Sequence, residues 1–291
     1  MIRRRRFAGA AAAFAALALP VASMAVRAAS ASGAEAREYS LAVVPQFPAA
    51  EIQRRWQPLL DRLAERAGIR LGLLHARSIP EFEQAFLRGT PDFAFLNPYH
   101  AVMARTTQGY VPLVRDSMPL SGILVVRRDD PVTALRELDG RTLAFPAPNA
   151  FGASLYLRAL LAEEAGVRIV PRYVGTHANT YRHVILGDAA AGGGVNNTLA
   201  NESEEVRQRL RVLYETPGVA PHPLAAHPRV SPGVRQAIAD ALLDLAASED
   251  GRRLLAAVQM PQPRSADYAR DYLPLERLRL ERYVVPSDAA H

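Results

Sequence analysis

The strongest constraint on the fold of this chain is an alternation of short apolar segments with amphipathic helices, which occurs in two successive groups. In the first group, residues 39–44 have the composition of a buried strand that ends at Pro45. A helical pattern over residues 51–67 follows and ends at Gly68, and its apolar face consists of Trp56, Leu59, Leu60 and Leu63. Residues 69–74 form the next apolar segment. Strands that alternate with helices in this way predict an α/β fold, with helices covering the faces of a sheet.

The second group begins after the polar stretch 127–142. Its predicted elements are strands over residues 143–145 and 210–215, a helix over 154–165, and a strand–turn–helix–strand segment over 173–198. From residue 231 onward the pattern is mostly helical. We therefore expect two lobes, each a mostly parallel sheet flanked by helices, and a helical C-terminal part that has no strands of its own and packs back on the first lobe.

Residues 1–34 have the pattern of an export signal. Arginines at positions 3–6 precede an Ala-rich apolar region, and small residues near Ala29, Ala31 and Ala34 offer cleavage sites. An uncleaved membrane anchor is the alternative, and Arg4, Arg5 and Phe7 also fit a twin-arginine pattern. We expect a periplasmic protein that is exported by the general secretory or the twin-arginine route.

The composition narrows the classes of partner. Five of the 35 basic residues lie in the signal, so the remaining chain is close to neutral, and we expect no nucleic acid partner. The chain contains no cysteine, which excludes a disulfide framework and a thiolate nucleophile. A freely soluble monomer fits these properties.

Three polar turns follow predicted strands. One places Asn97 as the N-cap of a helix that carries Tyr99 in its first turn, and the second is the loop 149–154. The third places Thr176 as the N-cap of a helix that begins at His177. Exposed helix N-termini at one edge of a sheet bind anions and small ligands. The three turns therefore predict a cleft for a small anion, with His177 in one wall.

The order of these motifs resembles that of a known family. The resembling segments are FAFLNPYHAVMA (93–104), DDPVTALRELDGRTLAFPAPNAFGASLYLRALL (129–161), YVGTHANTYRHVILGDAAAGG (173–193) and VLYETPGVAPHPLAAHPRV (212–230). Together they are similar to the PhnD-like periplasmic solute-binding proteins of phosphate, phosphite and phosphonate ABC importers, which have the type II periplasmic binding protein fold. The resemblance implies a discontinuous first lobe (35–122 and 221–291), a second lobe (123–220), and closure over an oxyanion that is passed to an ABC permease.

The resemblance also implies site residues. Tyr99 matches the ligand-contacting aromatic residue after the third strand, and His177 matches the ligand-contacting histidine at a helix start. The loop 149–154 stands where the family has a hydroxyl triplet, and Ala190 stands where it has an acid. The complete set that we expect to bind ligand is Phe47, Tyr99, Asn149, Ala150, Phe151, Gly152, Thr176, His177 and Tyr181.

Other interpretations of the sequence remain open. His183, His222 and His227 raise the possibility of a metal site with His177, but their spacing matches no compact ligand set, so we expect neither metal nor cofactor. The motifs of nucleophilic and metal-dependent hydrolases are missing, and we expect no catalysis. A sensor that presents its liganded form to a histidine kinase or chemoreceptor is the alternative to transport, and a small-anion hydrolase is the third. The departures at positions 150–152 and 190 leave the ligand open among phosphate, phosphite, phosphonates and other small anions.

Overall fold

The computed structural model describes residues 38–285, and the predicted signal lies outside them. Two β-sheets with helices packed against them form the two lobes. The strands of the first sheet are β1 (Glu38–Val43), β2 (Arg70–Leu74), β3 (Phe93–Phe95), β4 (Val111–Asp116), β10 (Pro223–Ala226) and β11 (Pro263–Ser265). The strands of the second sheet are β5 (Gly122–Arg127), β6 (Thr142–Phe145), β7 (Val170–Tyr173), β8 (Ala191–Val195) and β9 (Leu210–Glu215).

The helices connect these strands. They are α1 (Ala49–Ala67), α2 (Ile79–Leu87), α3 (Pro98–Gln108), α4 (Tyr156–Glu163), α5 (His177–Leu186), α6 (Asn196–Ala200), α7 (Glu204–Arg209), α8 (Pro232–Leu245), α9 (Glu249–Ala257) and α10 (Tyr268–Asp271). A π-helical turn (Phe151–Leu155) leads into α4, and 3₁₀ turns cover Leu135–Leu138, Leu273–Leu278 and Leu280–Tyr283. Within residues 38–285, every helix is too short or too polar to cross a bilayer.

Local sequence signals account for most helix ends. The predicted N-caps Asn97 and Thr176 are confirmed, because their side chains accept hydrogen bonds from the third residue of α3 and α5. Gly68 ends α1 as predicted, since its φ of 63° is a left-handed conformation that glycine adopts without strain. The apolar stripe of α1 is buried against the first sheet, as its spacing predicts.

Both sheets are mixed. In the first sheet the order is β11-β4-β10-β3-β1-β2, and β10 and β11 run antiparallel to their neighbours while the other four strands share one direction. In the second sheet the order is β7-β6-β8-β5-β9, and β5 alone of these strands is reversed. As predicted, most strands of each sheet run in one direction, four of six in the first sheet and four of five in the second.

The C-terminal part corrects one expectation. It contributes β11 to the first sheet, although the sequence predicted a mostly helical part without strands from residue 231 onward, and β10, just before that residue, was not predicted either. Both strands are short, they start with proline, and they pair with β3 and β4 more than a hundred residues earlier in the chain. A short strand without alternating polarity has no periodic signal of its own, so it is recognised only through its partners.

The chain crosses between the sheets twice, after β4 and after β9. The two crossings pair with each other, because Leu120 and Val219 exchange both backbone hydrogen bonds, at 2.9 and 3.0 Å. Ile123 and Val125 of β5 pack on one face of the second sheet and Leu124 on the other, so this sheet has a core on each side.

Candidate functional site

Residues from three places in the first lobe meet at one edge of its sheet. Val44 and Gln46 follow β1, and Asn97 follows β3. Because β10 is reversed, the residue before it, His222, lies at the same edge, where the backbone N–H of Leu96 donates to Pro223 O at 3.0 Å. The reversed strand thus brings His222 beside residues that are far from it in sequence.

The second lobe presents the corresponding edge of its own sheet. The turn at Ala150–Gly152 follows β6, His177 follows β7, and Val195 ends β8. Together the two edges enclose an inner cavity. Its lining residues are Val44, Gln46, Ile79, Asn97, Leu120, Ala150, Phe151, Gly152, Ala153, His177, Val195 and His222.

The inner cavity opens toward a wider outer cleft, and Gln46 and His177 belong to both. The inner cavity has a volume of about 20 Å³, whereas the outer cleft has a volume of about 450 Å³. The outer cleft is lined by Phe47, Pro48, Glu51 and Arg55 of the first lobe and by Thr176, Ala178, Asn179, Arg182, Thr198, Asn201 and Glu202 of the second. The lobes are in contact beside the inner cavity, where Asn97 Nδ2 donates to Asn149 O at 3.3 Å, and are thus closed over it.

The turn at residues 151–155 supplies backbone donors to this cavity. The sequence predicted a loop with the helix starting at residue 154, but helical structure begins at Phe151, where Leu155 N donates to Ala150 O at 3.1 Å. The N–H groups of residues 151–153 precede the helical hydrogen bonds and are available to an anion. Gly193 allows the turn to approach the sheet, since a Cβ there would lie 1.9 Å from Ala153 O.

His177 is the first residue of α5 and its side chain is buried. Its Nδ1 lies 3.1 Å from Thr198 Oγ1, which the Tyr181 hydroxyl also contacts at 2.9 Å. Burial lowers the pKa of His177 to about 4, so the imidazole is neutral near pH 7 in the free protein. Since Thr198 occupies Nδ1, the other ring nitrogen, Nε2, is the one left for a ligand.

His222 faces the same cavity from the first lobe. Its ring stacks on Phe95, with centroids 5.5 Å apart, and its Nε2 accepts a hydrogen bond from Gln46 Nε2 at 3.1 Å. Burial, and then the neighbouring His100 and His177, lower the pKa of His222 to about 3. This histidine is also neutral at ordinary pH.

The remaining expected residues occupy three different places. Ala150, Phe151 and Gly152 line the inner cavity, as expected of ligand-binding residues. Phe47 and Thr176 line the outer cleft, where the Arg55 guanidinium lies 4.4 Å from the centroid of the Phe47 ring. Tyr181 is fully buried behind Thr198 and supports His177.

Two expected residues lie away from the cavity. Tyr99 is buried on α3, and burial, followed by the carboxylates of Glu281 and Glu276, raises the pKa of its hydroxyl. It therefore faces the C-terminal 3₁₀ turns, outside the lining of the inner cavity. Asn149 donates to Glu83 Oε2 at 3.0 Å, and its side chain exchanges two hydrogen bonds with the backbone of Val285, at 2.8 and 2.9 Å.

Of the two departures from the family pattern, residues 150–152 line the inner cavity and Ala190 does not. Ala190 precedes β8, at the opposite end of that strand from Val195, so an acid at position 190 would not face the cavity. The ligand preference has to be judged from the lining itself, which within residues 38–285 contains no carboxylate, no guanidinium and no hydroxyl side chain.

Within residues 38–285, His183 and His227, which the sequence raised as possible metal ligands, have separate partners. His183 lies 3.3 Å from Asp188, and the ring of His227 packs against Tyr110. In the described part of the chain, no group of three or more His, Cys, Asp or Glu side chains has the arrangement of a metal site.

Sequence reasoning missed Gln46, His222 and the lining role of Asn97. The sequence raised His222 only as a possible metal ligand within a Pro-rich connector between the lobes, and its spacing from the other histidines matched no compact metal site. A strand prediction for residues 223–226 would have revealed it, since the residue before a reversed strand lies at the carboxyl edge of its parallel neighbours.

A family model described as "ABC transporter, phosphonate, periplasmic substrate-binding protein" matches residues 41–272, most of the chain. This chain belongs to that family. The family comprises periplasmic substrate-binding components of ABC transporters, and the two-lobe architecture is that of type II periplasmic binding proteins.

Solved structures share this fold at low sequence identity. PhnD1 from Prochlorococcus marinus in complex with methylphosphonate has a TM-score of 0.75 and 14% identity, covering 85% of this chain and 99% of that one. A binding protein component of an ABC phosphonate transporter from Pseudomonas aeruginosa has a TM-score of 0.73 and 15% identity, covering 86% and 88%. A chloride-bound protein from Xanthomonas citri has a TM-score of 0.67 and 21% identity, covering 87% and 97%.

Proposed function

We propose that this member of the family captures a small phosphorus oxyanion in the inner cavity and delivers it to an ABC permease. The observation that carries this proposal is the convergence of the Phe151 helix start and the buried His177 on one cavity between the lobes. Backbone N–H groups and imidazole N–H groups are the donors that a dehydrated oxyanion requires. The protein acts as an exported monomer.

The lining further restricts the ligand class. Val44, Ile79, Leu120, Phe151 and Val195 are apolar, and the carboxylate that an ammonium group would need is missing from the described lining. A ligand with a compact apolar substituent, such as methylphosphonate, or a bare oxyanion such as phosphite or phosphate, suits this cavity better than an aminoalkyl phosphonate does.

Thermal denaturation with a panel of anions tests the proposal. The panel contains methylphosphonate, phosphite, phosphate, 2-aminoethylphosphonate, sulfate and acetate. A phosphorus oxyanion at a hundred times its dissociation constant adds about 2.7 kcal/mol to the free energy of unfolding. His177→Asn should abolish this gain, while His75→Asn, at an exposed position outside the cleft, should preserve it. Stabilisation by acetate or sulfate alone would refute the proposed ligand class.

A separate experiment distinguishes an ABC permease from a histidine kinase as the partner of the liganded protein. In proteoliposomes that contain the cognate permease, the liganded protein should stimulate ATP hydrolysis more than the free protein does. Binding of the liganded form to a histidine kinase ectodomain, without such stimulation, would support the sensor function instead.

A further inference from the structure

His177 and His222 approach the inner cavity from opposite lobes. Both side chains are almost fully buried, with 4% and 5% of the residue surface exposed. One nitrogen of each ring is already bound, Nδ1 of His177 by Thr198 and Nε2 of His222 by Gln46. The second nitrogen of each ring has no hydrogen-bond partner within residues 38–285, so both rings can bind a ligand in the cavity.

These imidazoles are the titratable side chains among the described residues that line the inner cavity. An anion in such a cavity has lost its hydration, and neutral dipoles replace only part of the lost free energy. A full positive charge on the lining can arise only if one of the two rings takes up a proton. The proton comes from bulk solvent and forms an N–H bond at the lone pair of a ring nitrogen.

We propose that His177 and His222 together clamp the oxyanion, one from each lobe, and that the pair takes up one proton when the ligand binds. This inference rests on the proposed function and adds a second ligand-binding histidine and a proton to it. The charge is acquired with the anion, so the free cavity does not have to hold a buried unpaired cation.

The uptake is limited to one proton because the two rings face the same small cavity, where two like charges repel. Other charged groups lie behind the pair or outside it. His100, which lies behind His222, contacts the buried Glu83 carboxylate at 2.9 Å. The outer cleft beside His177 contains two arginines and two carboxylates, namely Arg55, Arg182, Glu51 and Glu202.

Gln46 can accommodate either protonation state of His222. Its amide nitrogen donates to the neutral ring. Rotation of the amide by half a turn would present the oxygen as an acceptor to the protonated ring. The contact therefore survives proton uptake without movement of the backbone.

Isothermal titration calorimetry with methylphosphonate, in two buffers that differ in ionisation enthalpy, measures the number of protons taken up. The wild-type protein should take up close to one proton per ligand near neutral pH. His177→Asn and His222→Asn keep a neutral polar side chain and should each reduce both the uptake and the affinity. His75→Asn is the matched control and should change neither, and circular dichroism verifies that each variant is folded.

The outcomes separate this inference from the proposed function. If no phosphorus oxyanion binds to the wild-type protein, the proposed function is wrong. Binding without proton uptake would overturn the two-histidine clamp and leave the proposed function intact. Uptake that persists undiminished in both variants would place the proton on the ligand and would also overturn the clamp. Should His222→Asn fail to fold, Gln46→Leu, which removes the partner of His222, should still lower the affinity.

Discussion

At the residue scale, the side chain of His177 is positioned by hydroxyl groups and contacts no charged group among residues 38–285. The Thr198 hydroxyl is hydrogen-bonded to Nδ1 of His177. The hydroxyl of the fully buried Tyr181 is in turn hydrogen-bonded to Thr198. A buried imidazole without a carboxylate partner keeps its neutral form, because burial disfavours the charge. Burial of the neutral imidazole should therefore make the free energy of unfolding of the free protein depend on pH.

The free protein should lose stability as the pH falls below 6.5. Burial lowers the pKa of His177 to about 4 from an ordinary value of 6.5, so between these values the unfolded chain binds a proton that the folded chain does not. The contribution of the neutral imidazole to stability is fully present above pH 6.5, the pKa of His177 in the unfolded chain. It is lost as the pH falls toward about 4, the pKa of His177 in the folded protein. Urea denaturation at a series of pH values measures this dependence.

His177→Asn should flatten this dependence by up to about 1.4 kcal/mol per pH unit between pH 6.5 and 4.5. His75→Asn, at an exposed position, serves as the control. An unchanged slope in His177→Asn would show that the imidazole is not buried in neutral form.

At the scale of single elements, the turn at residues 151–155 depends on the glycines of its neighbouring strands. A Cβ at Gly193 would lie 1.9 Å from Ala153 O and 2.6 Å from the Phe145 ring. These neighbours are a backbone carbonyl and a fully buried ring, so neither can move aside easily. Gly193 therefore allows the close approach of β8 to this turn, whereas Gly192 and Gly194 approach side chains of α5.

Gly193→Ala should destabilise the protein by about 1–3 kcal/mol, because the strand and the turn have to separate. Gly233→Ala is the matched control, since a Cβ at this position in the first turn of α8 meets nothing within 4 Å and alanine favours a helix. Chemical denaturation of both variants provides the comparison. Equal stability of the two variants would contradict the tight contact.

The elements with strong local signals could be predicted from the sequence, and those defined by distant partners could not. The stripe of α1, the caps Asn97 and Thr176, and the position of His177 all follow from patterns within a few residues. The strands β10 and β11 are three or four residues long and exist through pairing with β3 and β4. The position of His222 at the cavity depends on the pairing of β10 with β3, so a local sequence pattern could not reveal it.

Tyr99 illustrates a second limit of sequence reasoning. Its place in the first turn of α3 was correctly predicted, but the direction of a side chain in that turn depends on how the helix rotates against its neighbours. The packing of α3 against the C-terminal 3₁₀ turns decides this rotation. Those turns have no periodic signal in the sequence.

At the scale of the whole molecule, a buried polar network joins the two lobes. Asn149 of the second lobe donates to the Glu83 carboxylate of the first, and Asn97 Nδ2 donates to Asn149 O at 3.3 Å. The same Asn149 side chain holds the backbone of Val285. Because these contacts exist only while the lobes are together, they stabilise the closed form relative to an open one.

Asn149→Ala should shift the free protein toward an open form. The substitution removes a donor from the buried Glu83 carboxylate, which costs about 1–3 kcal/mol in the closed form. Small-angle X-ray scattering should show a larger radius of gyration for the free variant, and its affinity for methylphosphonate should fall about tenfold.

Gln236→Ala removes an exposed hydrogen bond within α8 and serves as the control. If the radius of gyration and the affinity of Asn149→Ala equal those of the wild type, the Asn149 contacts do not stabilise the closed form.

The paired crossings at Leu120 and Val219 have a mechanical consequence. Two crossings without a contact between them would allow one lobe to twist, slide and bend against the other. Two crossings that are hydrogen-bonded to each other resist sliding, because any sliding breaks both bonds at once. Rotation of one lobe against the other about the paired crossings would keep both bonds, so this pairing favours a hinge-like opening over a sliding one.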